Sequence, residues 1–96
     1  MRVIYRDRQQ GKTHDLIKIC HEEGGYIVCA NRRMVKEIEL MAQQMGLNIP
    51  LPLTFEEFLR KQYYGLGVNK FHIDDAHLLL KALTPVYIAT ITLSED

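Results

Sequence analysis

The apolar residues of this chain change period as the chain proceeds, and that alternation leaves few folds open. Tyr26-Ile27-Val28-Cys29-Ala30 is an unbroken apolar run, the pattern of a strand covered on both faces. Directly after it, Met34, Val35, Ile38, Met41, Ala42 and Met45 recur at helical spacing, which predicts an amphipathic helix burying one stripe. Asn31 stands where an N-cap belongs and Gly46 where the helix should close. Upstream, Val3-Ile4-Tyr5 reads as a short strand over residues 2–6. Leu16, Ile17 and Cys20 then share one helical face between Gly11 and the stop at Gly24-Gly25.

Downstream the same alternation continues. Residues 48–53 carry Pro50 and Pro52 and read as a connector with room for a short edge strand. Thr54 and Glu57 have capping-box spacing, with Leu53 and Phe58 placed as a hydrophobic staple. The helix they open is expected to run to about Tyr64, ahead of Gly65 and Gly67. Residues 71–74 read as the next strand, 76–83 as a helix broken by Thr84-Pro85, and 86–93 as a last strand. The order β-α-β-α-α-β-α-β predicts an α/β fold: three layers, α/β/α, around a mostly parallel four-stranded sheet. Ninety-six residues make one domain, 1–96, without internal repeat or linker.

Bulk composition excludes several classes. A hydrophobic fraction of 47% suits a packed core and not a disordered chain. Twelve Lys plus Arg balance twelve Asp plus Glu, so net charge does not support binding nucleic acid by bulk electrostatics, although a local basic patch stays open. Cys20 and Cys29, the two cysteines, fall on apolar faces without metal spacing and read as reduced core residues. No apolar run reaches the roughly 18 residues of a membrane span, and the N-terminus lacks the charged-then-apolar form of a signal peptide. The expectation is a soluble, cytoplasmic protein with no membrane role.

Chemistry concentrates in two short stretches. Arg6-Asp7-Arg8-Gln9-Gln10-Gly11-Lys12-Thr13 lies between the first strand and the first helix. Amide N–H groups of such a loop converge on a helix N-terminus, where the dipole favours an anion. Gly11 would let the backbone approach a phosphate, Lys12 would reach outer phosphates as a point charge, and Thr13 would place a hydroxyl on magnesium. Arg8, Gln9, Gln10 and His14 complete the expected phosphate-facing set. Asp74 and Asp75 end the strand Phe71-His72-Ile73, at the sheet edge where ligands of open α/β sheets bind. Asp74 is expected to hold magnesium. Asp75 either aligns an attacking water or caps the next helix.

At these residues the chain resembles P-loop NTPases of the RecA-like, helicase-like branch. The loop is similar to the deviant Walker A of phage terminase- and helicase-type ATPases, in which an Arg-containing loop replaces a glycine-rich one. Ile73-Asp74-Asp75 looks like Walker B, with Asp75 where the family usually has a glutamate. Leu53-Thr54-Phe55-Glu56-Glu57-Phe58-Leu59 is similar to the Thr-Phe segment of helicase cores, and Thr92 or Ser94 stands where a polar sensor would touch the γ-phosphate. The resemblance implies a truncated RecA-like core, ATP and magnesium as cofactors, and Lys12 and Asp75 as the catalytic pair of a weak ATPase. The chain departs from the family in having one glycine in the loop, an aspartate for the glutamate, and no fifth strand. A first strand left at the sheet edge calls for a cover, a protein partner or a second copy of the chain.

Other candidates weigh less. The four histidines, His14, His21, His72 and His77, lack the tight spacing of a zinc site. Arg32 and Arg33 read as a solvated helix start, and Arg60, Lys61, Tyr63 and Tyr64 as a solvated helix end. Two functions therefore stand side by side. One is a small ATP- and magnesium-binding protein that hydrolyses slowly in support of phage DNA metabolism. The other is a non-catalytic P-loop remnant that binds or inhibits a replication, packaging or host-defence protein.

Overall fold

A glycine in the left-handed region starts the described chain. The computed structural model describes residues 11–61, 67, 70–75 and 79. Gly11 has φ 77° and leads into α1, Lys12–Glu23, whose first intrahelical bond runs from Asp15 N–H to Gly11 O at 3.0 Å. Asp15 in the first turn suits the positive end of the helix dipole. α1 closes at Gly24, whose N–H reaches Cys20 O at 2.8 Å. Gly25 then turns the chain at φ 91°, where an added Cβ would stand 2.4 Å from Lys70 O. That close approach admits only glycine. It lets Tyr26 N–H bond Lys70 O at 3.1 Å and start β1, Tyr26–Cys29.

β1 is the centre of the sheet. Ile27 and Cys29 pack with Ile17 and Cys20 of α1 and with Val35, Ile38 and Ala42 of α2, Arg32–Met45. Val28, which a strand's period of two puts on the opposite face, is equally buried. The continuous apolar run thus has the reason expected of it: both faces of β1 are covered. α2 has both expected caps. Asn31 accepts from Met34 N–H at 3.0 Å. At the other end Gly46 N–H bonds Gln43 O and Leu47 N–H bonds Ala42 O, both at 3.0 Å, the paired bonds of a Schellman motif. Met34, Met41, Met45 and Leu47 pack against the same core. Each isoleucine at its centre contributes roughly 1.5–3 kcal/mol by leaving water.

Three parallel strands make the described sheet, in the order β2-β1-β3. β2 is Leu53–Thr54, paired through Val28 with Leu53 and Cys29 with Thr54. It lies in the proline-bearing connector, where an edge strand had room. β3 is Phe71–Ile73, and Asp74 N–H extends its pairing to Val28 O at 2.9 Å. Between them α3, Phe55–Leu59, opens on the capping box formed by Thr54 and Glu57. The expected run to Tyr64 needs correction, because α3 ends at Leu59. Lys61 takes φ 58° and its N–H reaches back to Phe58 O at 3.1 Å, so a left-handed lysine stops the helix before any glycine does.

The strands read at 2–6 and 86–93 lie outside the described residues, as does the helix read at 76–83 apart from Leu79. The described fold is therefore a small α/β unit with a three-stranded parallel sheet and flanking helices. Because the strands are parallel, all their C-terminal ends line one edge. The first turn of α1, the start of α3 and the residues after β3 meet that edge.

Candidate functional site

Two polar corners occupy that edge, one on each side of β1. The first joins the start of α1 to the end of β3. Lys12 Nζ forms an ion pair with Asp75 Oδ1 across 63 positions of sequence. Thr13 Oγ1 donates to Asp74 Oδ2 at 3.4 Å. Asp74 is 2% exposed, and its other oxygen, Oδ1, has no hydrogen-bond partner among the described residues. Burial raises the Asp74 pKa above the ordinary carboxylate value, while the Lys12 charge and the Thr13 hydroxyl pull it down. A buried oxygen with no donor is costly.

The surroundings of this corner suit an anion with its own cation. Gly11 is exposed, and nothing lies within 4 Å of where its Cβ would be. Among the described residues no side chain caps α1, whereas Asn31 and Thr54 cap α2 and α3. The amides of a helix's first turn have no acceptor within the helix itself. Magnesium keeps most of its waters and takes one or two carboxylates together with phosphate oxygens. A single buried carboxylate beside a hydroxyl fits that demand. No three His, Cys, Asp or Glu side chains come together among the described residues.

The sequence-predicted residues separate accordingly. Lys12, Thr13, Asp74 and Asp75 come together, and Gly11 begins the helix that carries two of them. His14 is exposed on α1. Arg8, Gln9, Gln10, Thr92 and Ser94 lie outside the described residues. The Lys12–Asp75 pair was not foreseen: the ammonium expected to await phosphate, and the carboxylate expected either to align water or to cap the next helix, hold one another. Asp75 has φ 56°, a left-handed conformation that Asp tolerates better than most residues.

The second corner is closed. Thr54 Oγ1 accepts from Glu57 N–H at 3.1 Å, and Glu57 Oε1 accepts from Thr54 N–H at 2.9 Å. Arg32 Nη2 donates to Glu57 Oε2 at 3.0 Å. The Thr54 amide, then the Thr54 hydroxyl and the Arg32 charge, hold the Glu57 carboxyl below its ordinary pKa against a burial effect that raises it. Arg32 stands in solvent as the sequence reading expects, and adds to it by tying α2 to α3 through Glu57. Arg33 remains exposed, 3.9 Å from Glu37 on its own helix. Sequence spacing held no signal for the Arg32 pairing, whose members are 25 positions apart.

Between the corners lies Cys29, fully buried. Its thiol is pushed up to about 11, first by burial and then by the Asp74 charge, so it stays protonated and is no nucleophile. Cys20 is likewise a buried free thiol, as expected of core cysteines. The described histidines are engaged elsewhere or exposed: His21 Nδ1 lies 2.9 Å from Asn48 O and His72 Nε2 lies 2.8 Å from Gly24 O. Arg60 pairs with Glu56 at 2.7 Å on α3, while Tyr63, Tyr64 and His77 lie outside the described residues. Among the described residues no helix is long and apolar enough to cross a membrane.

Comparison with protein-family models, with curated proteins and with solved structures finds no match.

Proposed function

We propose that this chain binds ATP with magnesium at the corner formed by Gly11, Lys12, Thr13, Asp74 and Asp75, as a minimal P-loop NTPase of the RecA-like branch, and hydrolyses it slowly. The three-stranded parallel sheet is read as part of a four-stranded, three-layer core. The observation that carries the reading is the buried, unpartnered Oδ1 of Asp74 beside Thr13 and Lys12. Residues more than sixty positions apart have been brought together around a carboxylate of which one oxygen has no donor among the described residues.

The roles follow from the chemistry of each group. Gly11 leaves the backbone open to a phosphate, and the first-turn amides of α1 donate to it. Lys12 supplies the positive charge for the outer phosphates. Thr13 and Asp74 hold magnesium, which when bound neutralises charge on the phosphate oxygens. Asp75 orients a water once Lys12 has turned to the phosphate. Because phosphoryl transfer relies on positioning and charge, one ammonium and two carboxylates suffice for slow turnover.

Calorimetric titration with ATP and magnesium tests this. The expected result is saturable, magnesium-dependent binding that Lys12→Ala weakens by at least about tenfold, the value of one charge-assisted hydrogen bond. No heat and no rise in melting temperature with ATP and magnesium would overturn it, since a ligand of the folded form alone must stabilise it.

One observation favours the second reading, a non-catalytic remnant that docks on a replication, packaging or host-defence protein. Asp75, where the resemblance puts the catalytic carboxylate, is engaged by Lys12. Under that reading a single dominant partner is captured equally well by the native chain and by Lys12→Ala. Docking through an uncovered sheet edge, by a partner or by a second copy, belongs to the same reading.

A further inference from the structure

We infer that the Lys12–Asp75 ion pair is a lock on the anion site, closed to free phosphates and opened by a polyphosphate that carries its own divalent cation. This rests on the nucleotide reading above and goes beyond it by naming what the resting site excludes. The ammonium is the one side-chain cation contributed by the first turn of α1 among the described residues, and Asp75 already occupies it. The two side chains are 25% and 16% exposed, so the pair is shielded enough to resist displacement by a weak competitor and open enough to be reached. Lys12 also faces Asp74, so these three groups carry one positive charge against two carboxylates.

An incoming anion without a cation must take Lys12 from Asp75 and leave two carboxylates beside it. Like charges at such separations repel. A chelated divalent cation reverses the balance: it gives the unpartnered Oδ1 of Asp74 a ligand and offers the released Asp75 a hydrated cation to face. The lock therefore favours a cation-bound di- or triphosphate over free phosphate by exchange. A mere staple between α1 and the end of β3 would make no such distinction.

The test titrates inorganic triphosphate, in EDTA and in magnesium, into the full chain, Asp75→Asn, and the double variant Lys12→Ala with Asp75→Asn. Asparagine keeps the shape and tolerates the left-handed backbone. Asp75→Gly, which relaxes that backbone, serves as a second variant should the first fold poorly. The lock predicts that Asp75→Asn binds cation-free triphosphate at least about fivefold more tightly than the native chain. The gain is smaller in magnesium and absent in the double variant. No gain in EDTA, including no binding by any variant, overturns the lock. The nucleotide reading is judged separately by the native chain's response to ATP and magnesium, so a native chain that binds ATP and magnesium without an Asp75→Asn gain loses the lock alone.

Discussion

Two carboxylates at one sheet edge, on either side of the same strand, live under opposite terms. Glu57 gives each oxygen a donor, one from the Thr54 amide and one from Arg32. Asp74 has one oxygen near the Thr13 hydroxyl and one with no donor among the described residues. The fold holds Glu57 below its ordinary pKa and Asp74 above it. Glu57 is therefore ionised at less cost folded than unfolded, and Asp74 at more. The difference separates a carboxylate with a donor on each oxygen from one with a donor on a single oxygen among the described residues. Reciprocal capping fixes α3, whereas Asp74 sits at the end of β3 beside the fully buried Val28 and Cys29 with one oxygen unpartnered among the described residues.

Removing the Asp74 charge breaks the comparison most strongly. Asp74→Asn should raise stability at pH 7 by about 1–2 kcal/mol, because a buried charge is replaced by a neutral amide of the same shape. The sign in pH follows from the raised folded-state value. The native form takes up its proton more readily than the unfolded chain, so wild-type stability falls as pH climbs through that interval. The advantage of Asp74→Asn should be complete above the raised value and gone below about 3.8, the ordinary value for Asp. Urea melts of both proteins across that range measure it. Magnesium-dependent ATP binding should be lost in the same variant. A variant less stable than wild type at pH 7 would show that Asp74 is satisfied in the resting protein, and the two corners would then be alike.

How much of this was legible in the sequence depends on the range of the rule involved. Asn31, Gly46 and the stripe from Met34 to Met45 act within a helix, and both ends of α2 fall where local chemistry puts them. The capping box at Thr54 is equally local. Lys12, Thr13 and Asp74 were legible because a parallel sheet sends all its strand ends to one edge. What stayed hidden is pairing. Sequence shows that Lys12, Asp75, Arg32 and Glu57 exist, but their partners lie 63 and 25 positions away and are set by packing. The end of α3 was hidden for another reason. Glycines at 65 and 67 are the natural stops, yet Lys61 adopts the left-handed turn itself, an option no propensity scale favours for lysine.

Thr54→Ala sharpens the other side. The hydroxyl satisfies one orphan amide at the start of α3, so its loss should cost about 1 kcal/mol. Thr54 is also paired to Cys29 in the sheet, so the cost should appear as faster exchange of the β2 amides as well as a lower denaturation midpoint. ATP and magnesium affinity should stay within twofold. A large loss of affinity would mean that the two corners are one site.

The smallest effect is the most discriminating, because it repeats the Asp74 edit at the second corner. Glutamine can still accept the Thr54 amide at Glu57, so Glu57→Gln keeps the capping geometry. What it removes is the charge facing Arg32 and the positive end of α3. Those are worth about 0.3–1 kcal/mol at an exposed helix start. The pH sign is opposite to that at Asp74. The folded-state pKa lies below the ordinary 4.5, so the Glu57 contribution is present above that value and disappears as pH falls through the lowered one. The same change, carboxylate to amide, should thus stabilise the chain at residue 74 and destabilise it at residue 57 at neutral pH. As pH falls, Asp74→Asn should meet wild type below about 3.8 and Glu57→Gln below the lowered Glu57 value, from opposite sides. Melts in which both edits move stability in the same direction would remove the physical basis for reading one corner as a scaffold and the other as a binding site.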